Sequence, residues 1–191
     1  MKINTFTSVF ITITLFICNN VSAQEMTLDT KSSSIKWTGK EITTKSHYGS
    51  LKFKEGLLNI RNDNITNGKF IVDMNSIDCQ DLSGSSKSNL EGHLKSDDFF
   101  SVNKYPEAVL TIQNTKEKTN GVISAEGQIL VKGIVQPVTF DISIEGKNGS
   151  AKLILDRSKH NVRFRSGSFF QNLGDKLIYD DIEIEAQLTF K

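Results

Sequence analysis

Apolar and polar residues alternate with a period of two along most of this chain, the pattern of strands that bury one face. In the last segment Ile182, Ile184, Ala186, Leu188 and Phe190 fall on one side, with Glu183, Glu185, Gln187 and Thr189 opposite. VTFDISIE repeats this with Val138, Phe140, Ile142 and Ile144, and KFIVDM with Phe70, Val72 and Met74. AVLTIQ offers Ala108, Leu110 and Ile112, and AKLILD offers Ala151, Leu153 and Leu155. Ile35 alternates with Trp37, Leu51 with Phe53, and Ile129 with Val131 in GQILVKG. The pattern predicts about eight strands.

The breaks between these runs carry turn chemistry. NDN at 62–64, TNG at 66–68, TNG at 119–121 and KNGS at 147–150 supply Asn and Gly, which tolerate positive φ. Asn120-Gly121 and Asn148-Gly149 between alternating runs read as hairpin turns, so neighbouring strands are antiparallel. Such a set forms a sandwich or closes on itself. The interval Cys79–Tyr105 breaks the alternation. Leu90 and Leu94 lie four apart, with Ser86 or Ser88 available as a cap, which predicts a short helix around 86–95. HLKSDDFFSVNKYP (93–106) then places three aromatic rings in an irregular connection, and Pro106 holds Tyr105 extended at the entry to the next strand. Aromatics in such a segment gain little unless they cover an apolar space, so Phe99, Phe100 and Tyr105 are read as a cap on one end of a barrel.

The first 23 residues look like a secretory leader: Lys2, then the apolar VFITITLFIC, then VSA ending at Ala23. The apolar run is shorter than the roughly 20 residues a membrane-spanning helix needs. Ile17 before Cys18 does not suit a lipidation signal. Cleavage after Ala23 leaves Gln24–Lys191 as one domain, in the periplasm or secreted. Lys and Arg number 23 against 22 Asp and Glu, and Lys2 lies in the leader, so the domain is charge-balanced. It has no basic excess or stripe for nucleic acid. Cys79 is left without an intramolecular partner and reads as a buried thiol.

Catalytic and metal motifs are sparse. His47, His93 and His160 lack ligand spacing, and no Gly-x-Ser-x-Gly elbow or Gly-rich phosphate loop occurs. Asp97-Asp98 and Asp180-Asp181 are adjacent pairs, which point to opposite faces of a strand. No catalytic residue, metal or cofactor is expected.

Several pieces together resemble the YceI family of polyisoprenoid-binding, lipid-binding domains. They are Trp37 on the first strand, HYGSLKF (47–53), VDMNSID (72–78), HLKSDDFFSVNKYPEAVLTI (93–112), GQILVKGIVQPVTFDI (127–142), LDRSKHNVRF (155–164) and YDDIEIE (179–185). The chain departs from the familiar pattern at Ile134-Val135 and His160-Asn161. The resemblance implies an all-β fold, an extended eight-stranded antiparallel lipocalin-like barrel with a short helix in the connection around 79–105. It also implies an apolar tunnel for an amphipathic isoprenoid-type lipid: a polyisoprenoid, an isoprenoid quinone or a similar molecule. A lipid-modifying isomerase or cyclase using the same pocket is the alternative. Transient membrane contact for lipid exchange and a homodimer stand as further expectations.

The tunnel wall and cap are assigned to Trp37, Phe53, Phe70, Phe99, Phe100, Tyr105, Leu110, Phe140, Phe164 and Phe169. Arg157, Arg163, Arg165 and His93 are the head-group candidates, since Arg makes bidentate contacts to phosphate oxygens.

Overall fold

The computed structural model describes residues 23–62, 64–116 and 119–191. The expected leader (1–23) therefore lies outside it, apart from Ala23. Nine strands and one α-helix are formed among the described residues: β1 (Ala23–Thr27), β2 (Ser34–Glu41), β3 (Ser46–Arg61), β4 (Asn64–Cys79), α1 (Gly84–Lys95), β5 (Glu107–Thr115), β6 (Ile123–Val131), β7 (Ile134–Glu145), β8 (Asn148–Asp156) and β9 (Ile178–Thr189). Two short 3₁₀ turns, Arg157–His160 and Gly174–Lys176, lie in the β8–β9 connection.

All pairings between strands are antiparallel, in the ring order β3-β2-β9-β8-β7-β6-β5-β4, which the β3–β4 pairing closes. β1 also pairs with β3, through Met26 opposite Leu58, while β2 takes the other half of β3 through Ile35 opposite Leu51. The two short strands share one position, divided by a turn in which Asp29 accepts from the Lys31 amide and the Ser32 hydroxyl. Eight positions therefore close an all-β barrel, the size at which side chains fill the interior or leave room for one guest.

Two of the expected Asn/Gly turns differ in the structure and one is as expected. Asn120 (φ 51°) and Gly121 (φ 84°) form the expected tight turn between Thr119 and Val122. TNG at 66–68 instead lies inside β4, where Asn67 sits opposite Asn59 and their side-chain amides bond at 2.7 Å. Asn148-Gly149 begins β8, and the chain reverses one step earlier at Gly146-Lys147. A fourth reversal, Lys132-Gly133, has both φ values positive, as a two-residue hairpin requires.

The interior is divided along its axis. At the β5–β6 hairpin end, Leu28, Leu58, Ile65, Ile112, Ile123, Ala125 and Phe190 are all at most 3 % exposed and form a solid core. At the opposite end the ring is crossed by α1 and the segment after it. The helix begins after Ser83, whose side chain makes no capping bond, so neither Ser86 nor Ser88 acts as the cap. Leu94 is its buried residue, and the chain then folds back through Phe100 N–H to Leu94 O and Val102 N–H to Lys95 O. Gly49 permits close packing at this end. A Cβ there would lie 1.9 Å from Asp78 O and 2.7 Å from the Trp37 ring.

Candidate functional site

Alternation brings one residue in two to the barrel axis, and in the α1 half those residues do not meet in the middle. They enclose a cavity of about 350 Å³, within the lower part of the range typical of small-molecule sites. Small side chains keep it open, with Ala108, Ala151 and Ala186 on three separate strands of its wall. Ile142 and Leu188 line its floor, beyond which the solid core begins. Lys40, Glu41, His47, Arg165 and Tyr179 also border the cavity. It therefore reaches the surface between the β2–β3 hairpin and the start of β9.

Of the aromatic and aliphatic wall candidates, Trp37, Phe53, Phe70, Leu110, Phe140 and Phe164 border the cavity. Phe99 and Phe100 do so from the connection after α1, stacked edge-on with centroids 4.9 Å apart. Two candidates lie elsewhere. Tyr105 is exposed and packs against Gly133, because the extended residue before Pro106 points away from the axis. Phe169 is exposed beneath the Arg163 guanidinium, in the β8–β9 connection, which does not follow the alternation of a strand.

Of the head-group candidates, Arg157, Arg165 and His93 border the cavity and Arg163 does not. Arg157 is 1 % exposed, and its guanidinium is bonded by the protein itself. It donates from Nε to Tyr179 O at 3.1 Å, from Nη1 to Val162 O at 3.2 Å and Phe164 O at 2.9 Å, and from Nη2 to Ile178 O at 3.0 Å. Asp180 Oδ1 lies 3.2 Å from Nη2, while its Oδ2 accepts from Ser166 and Ser168. Arg157 is thus a brace tying the β8–β9 connection to the start of β9. Arg163 bonds Asn161 and faces outward. Arg165, at φ 50°, stands over the Phe164 ring at the rim. Arg163 and Arg165 lie in the β8–β9 connection, which is not a strand, so no alternation puts them on one face.

His93 projects from α1 into the cavity wall, its ring 4.2 Å from Phe164 and 5.6 Å from Phe99, centroid to centroid. Burial pushes its pKa down, opposed by Asp98. Its Nε2 is buried without a hydrogen-bond partner, and so is Trp37 Nε1. His47 is held at the rim by Asp81, 2.7 Å from Nδ1. His160, 2 % exposed, is lowered by burial against the effect of its bond to Ile134 O. Cys79 is fully buried and donates to Asp81 at 3.3 Å, and burial raises its pKa. The alternation reading missed Ile77, Leu90 and Ile178 as wall residues; of these only Leu90, as part of a helical pattern, had a signal linking it to the cap.

His93 and His160 both titrate below the ordinary histidine value near 6.5, so the unfolded chain takes up protons first as the pH falls. Their contribution to stability is complete above about pH 6.5 and is lost as the pH falls towards the folded values, at up to about 1.4 kcal/mol per pH unit for each. Denaturant midpoints measured from pH 7.5 to 5.5 should fall, and His160→Gln should flatten the profile. A profile unchanged by that substitution contradicts neutral burial of His160.

A family model described as a YceI-like domain matches residues 26–190. A UPF0312 protein of Shewanella denitrificans is 26% identical over 137 residues, covering 70% of this chain and 69% of the relative. Among solved structures, Burkholderia cenocepacia BcnA superposes with a TM-score of 0.68 at 18% identity, over 84% of this chain and 98% of that one. A domain from Saccharophagus degradans described as polyisoprenoid binding does so at 0.57 and 10% identity, over 90% and 99%. At these identities the structural likenesses concern the fold alone.

Proposed function

The chain belongs to the YceI-like domain family, and from that premise we propose that it holds an amphipathic, isoprenoid-type lipid in its half-hollow barrel. The observation that carries this reading is the tunnel itself: about 350 Å³, walled by aliphatic and aromatic side chains, with its buried cation already saturated by protein oxygens. The description of the Saccharophagus domain as polyisoprenoid binding supports the choice of cargo. Such a wall offers burial and little else. A guest burying on the order of 400 Å² gains about 10 kcal/mol gross, at roughly 25 cal/mol per Å². Association removes about 4 kcal/mol or more of that, leaving a dissociation constant in the tens of micromolar. Binding and carriage need nothing further.

The tunnel takes the buried part of the lipid through the α1 end, and the rim suits exchange with a membrane. Ile42, Tyr48, Phe169, Phe170 and Tyr179 are exposed around it, with Arg163 and Arg165 between them, the amphipathic mixture that settles at a bilayer interface. The leader-like sequence at 1–23 supports a location outside the cytoplasm, in the periplasm or secreted.

Native mass spectrometry of the purified protein, followed by organic extraction, tests the reading. One lipid per chain, recovered at unchanged mass, is the expected result. A chemically altered lipid argues for an enzyme, and a chain that neither carries nor takes up any lipid contradicts the proposal.

A further inference from the structure

Two polar atoms on the tunnel wall have no partner: Trp37 Nε1 and His93 Nε2. Trp37 is 8 % exposed, and its indole is backed by Gly49. His93 sits edge-on between Phe164 and Phe99. An unmade hydrogen bond at a buried donor costs about 1–3 kcal/mol, and buried polar atoms are bonded in the great majority of cases. Two such atoms bordering one apolar cavity are accounted for most simply by a group that the cargo supplies. Of the other polar side chains of the wall, Arg157 is held by four carbonyls and Asp180, Lys40 by Glu183 and His47 by Asp81, while Arg165 stands over the Phe164 ring at the rim.

Resting on the tunnel reading, we infer that Trp37 and His93 form a polar subsite for an uncharged oxygen, a hydroxyl or carbonyl, carried inside the tunnel by the lipid. The indole N–H can only donate, and a neutral imidazole donates or accepts at Nε2. A hydroxyl suits both atoms, and a carbonyl suits the indole and the Nε2–H tautomer. An anionic group does not suit this place. Its charge would be buried against an apolar wall whose inner cation, Arg157, is already bonded by the protein, a cost far above that of a neutral oxygen. Burial keeps His93 neutral, in the same sense. A phosphate-bearing lipid would have to leave its head at the rim by Arg165, with both inner atoms still unpartnered.

Geraniol, the matching hydrocarbon myrcene and geranyl diphosphate separate these cases by displacement of an apolar dye from the intact protein. The expected order is geraniol about tenfold tighter than myrcene, with geranyl diphosphate weaker than geraniol. Trp37→Phe and His93→Phe each bring the geraniol-to-myrcene preference close to unity, and His93→Gln, which keeps a hydrogen-bonding group, retains part of it. Equal binding of geraniol and myrcene by the unaltered protein overturns the subsite and leaves the apolar tunnel standing. A preference retained in both phenylalanine variants, or a preference for the diphosphate, also overturns it. Failure of all three probes to bind overturns the tunnel reading along with the subsite.

Discussion

Arg157→Met is expected to lower the unfolding free energy by about 3–5 kcal/mol, the range for removing one partner of a buried, hydrogen-bonded ion pair. For a domain of this size that is a fall of roughly 10 °C in Tm. The side chain lies wholly out of solvent, and its loss takes donors from the carbonyls of Val162, Phe164, Ile178 and Tyr179 at once. Asp180 keeps its bonds from Ser166 and Ser168 but loses its counter-charge. Methionine matches the length of the stem and supplies none of the five N–H groups. The same bonds hold Phe164 and Tyr179 at the cavity, so ligand retention should fall with stability. Thermal unfolding checks this, and a loss below about 1 kcal/mol would mean that these carbonyls find other donors.

Ala151→Phe should weaken lipid binding at least tenfold while leaving the fold intact. Ala151 faces the cavity from β8, between Ile142 on β7 and Ala186 on β9. A phenyl ring there occupies space otherwise open to the guest. Excluding even two methylenes costs the guest about 1.6 kcal/mol, at roughly 0.8 per methylene. In a filled core the same substitution would cost about 1–3 kcal/mol of stability, and the empty volume absorbs it here. Ligand titration together with a denaturant midpoint distinguishes the outcomes. Undiminished binding means that the guest lies elsewhere, and a large loss of stability means that the space is not available.

The period of two is a backbone property, so the strands and their inward faces were legible from residue order alone. Ile182, Ala186, Leu188 and Phe190 lie inward as the alternation requires. Turns were less legible where Asn and Gly serve a strand. Asn67 pairs its side chain across to Asn59, and Gly149 sits opposite Leu188 in β8. Whether an inward residue meets a neighbour or an empty space was not legible. Phe140 and Phe190 occupy equivalent places in their patterns, yet Phe140 borders the cavity and Phe190 lies in the solid core. The difference comes from what the opposite strands contribute, above all the alanines at 108, 151 and 186. Arg157 carried a misleading signal for a related reason. A charged residue in a motif suggests a ligand until the fold brings four backbone carbonyls around it, and their positions depend on a connection without periodicity.

Trp37 is the chain's single tryptophan and stands on the tunnel wall, so its emission reports directly on whether the barrel admits a guest. Titration with geraniol should change that emission and saturate at one molecule per chain, with a midpoint in the tens of micromolar or below. Emission that stays constant, or drifts without saturating, would contradict a ligand-accepting tunnel.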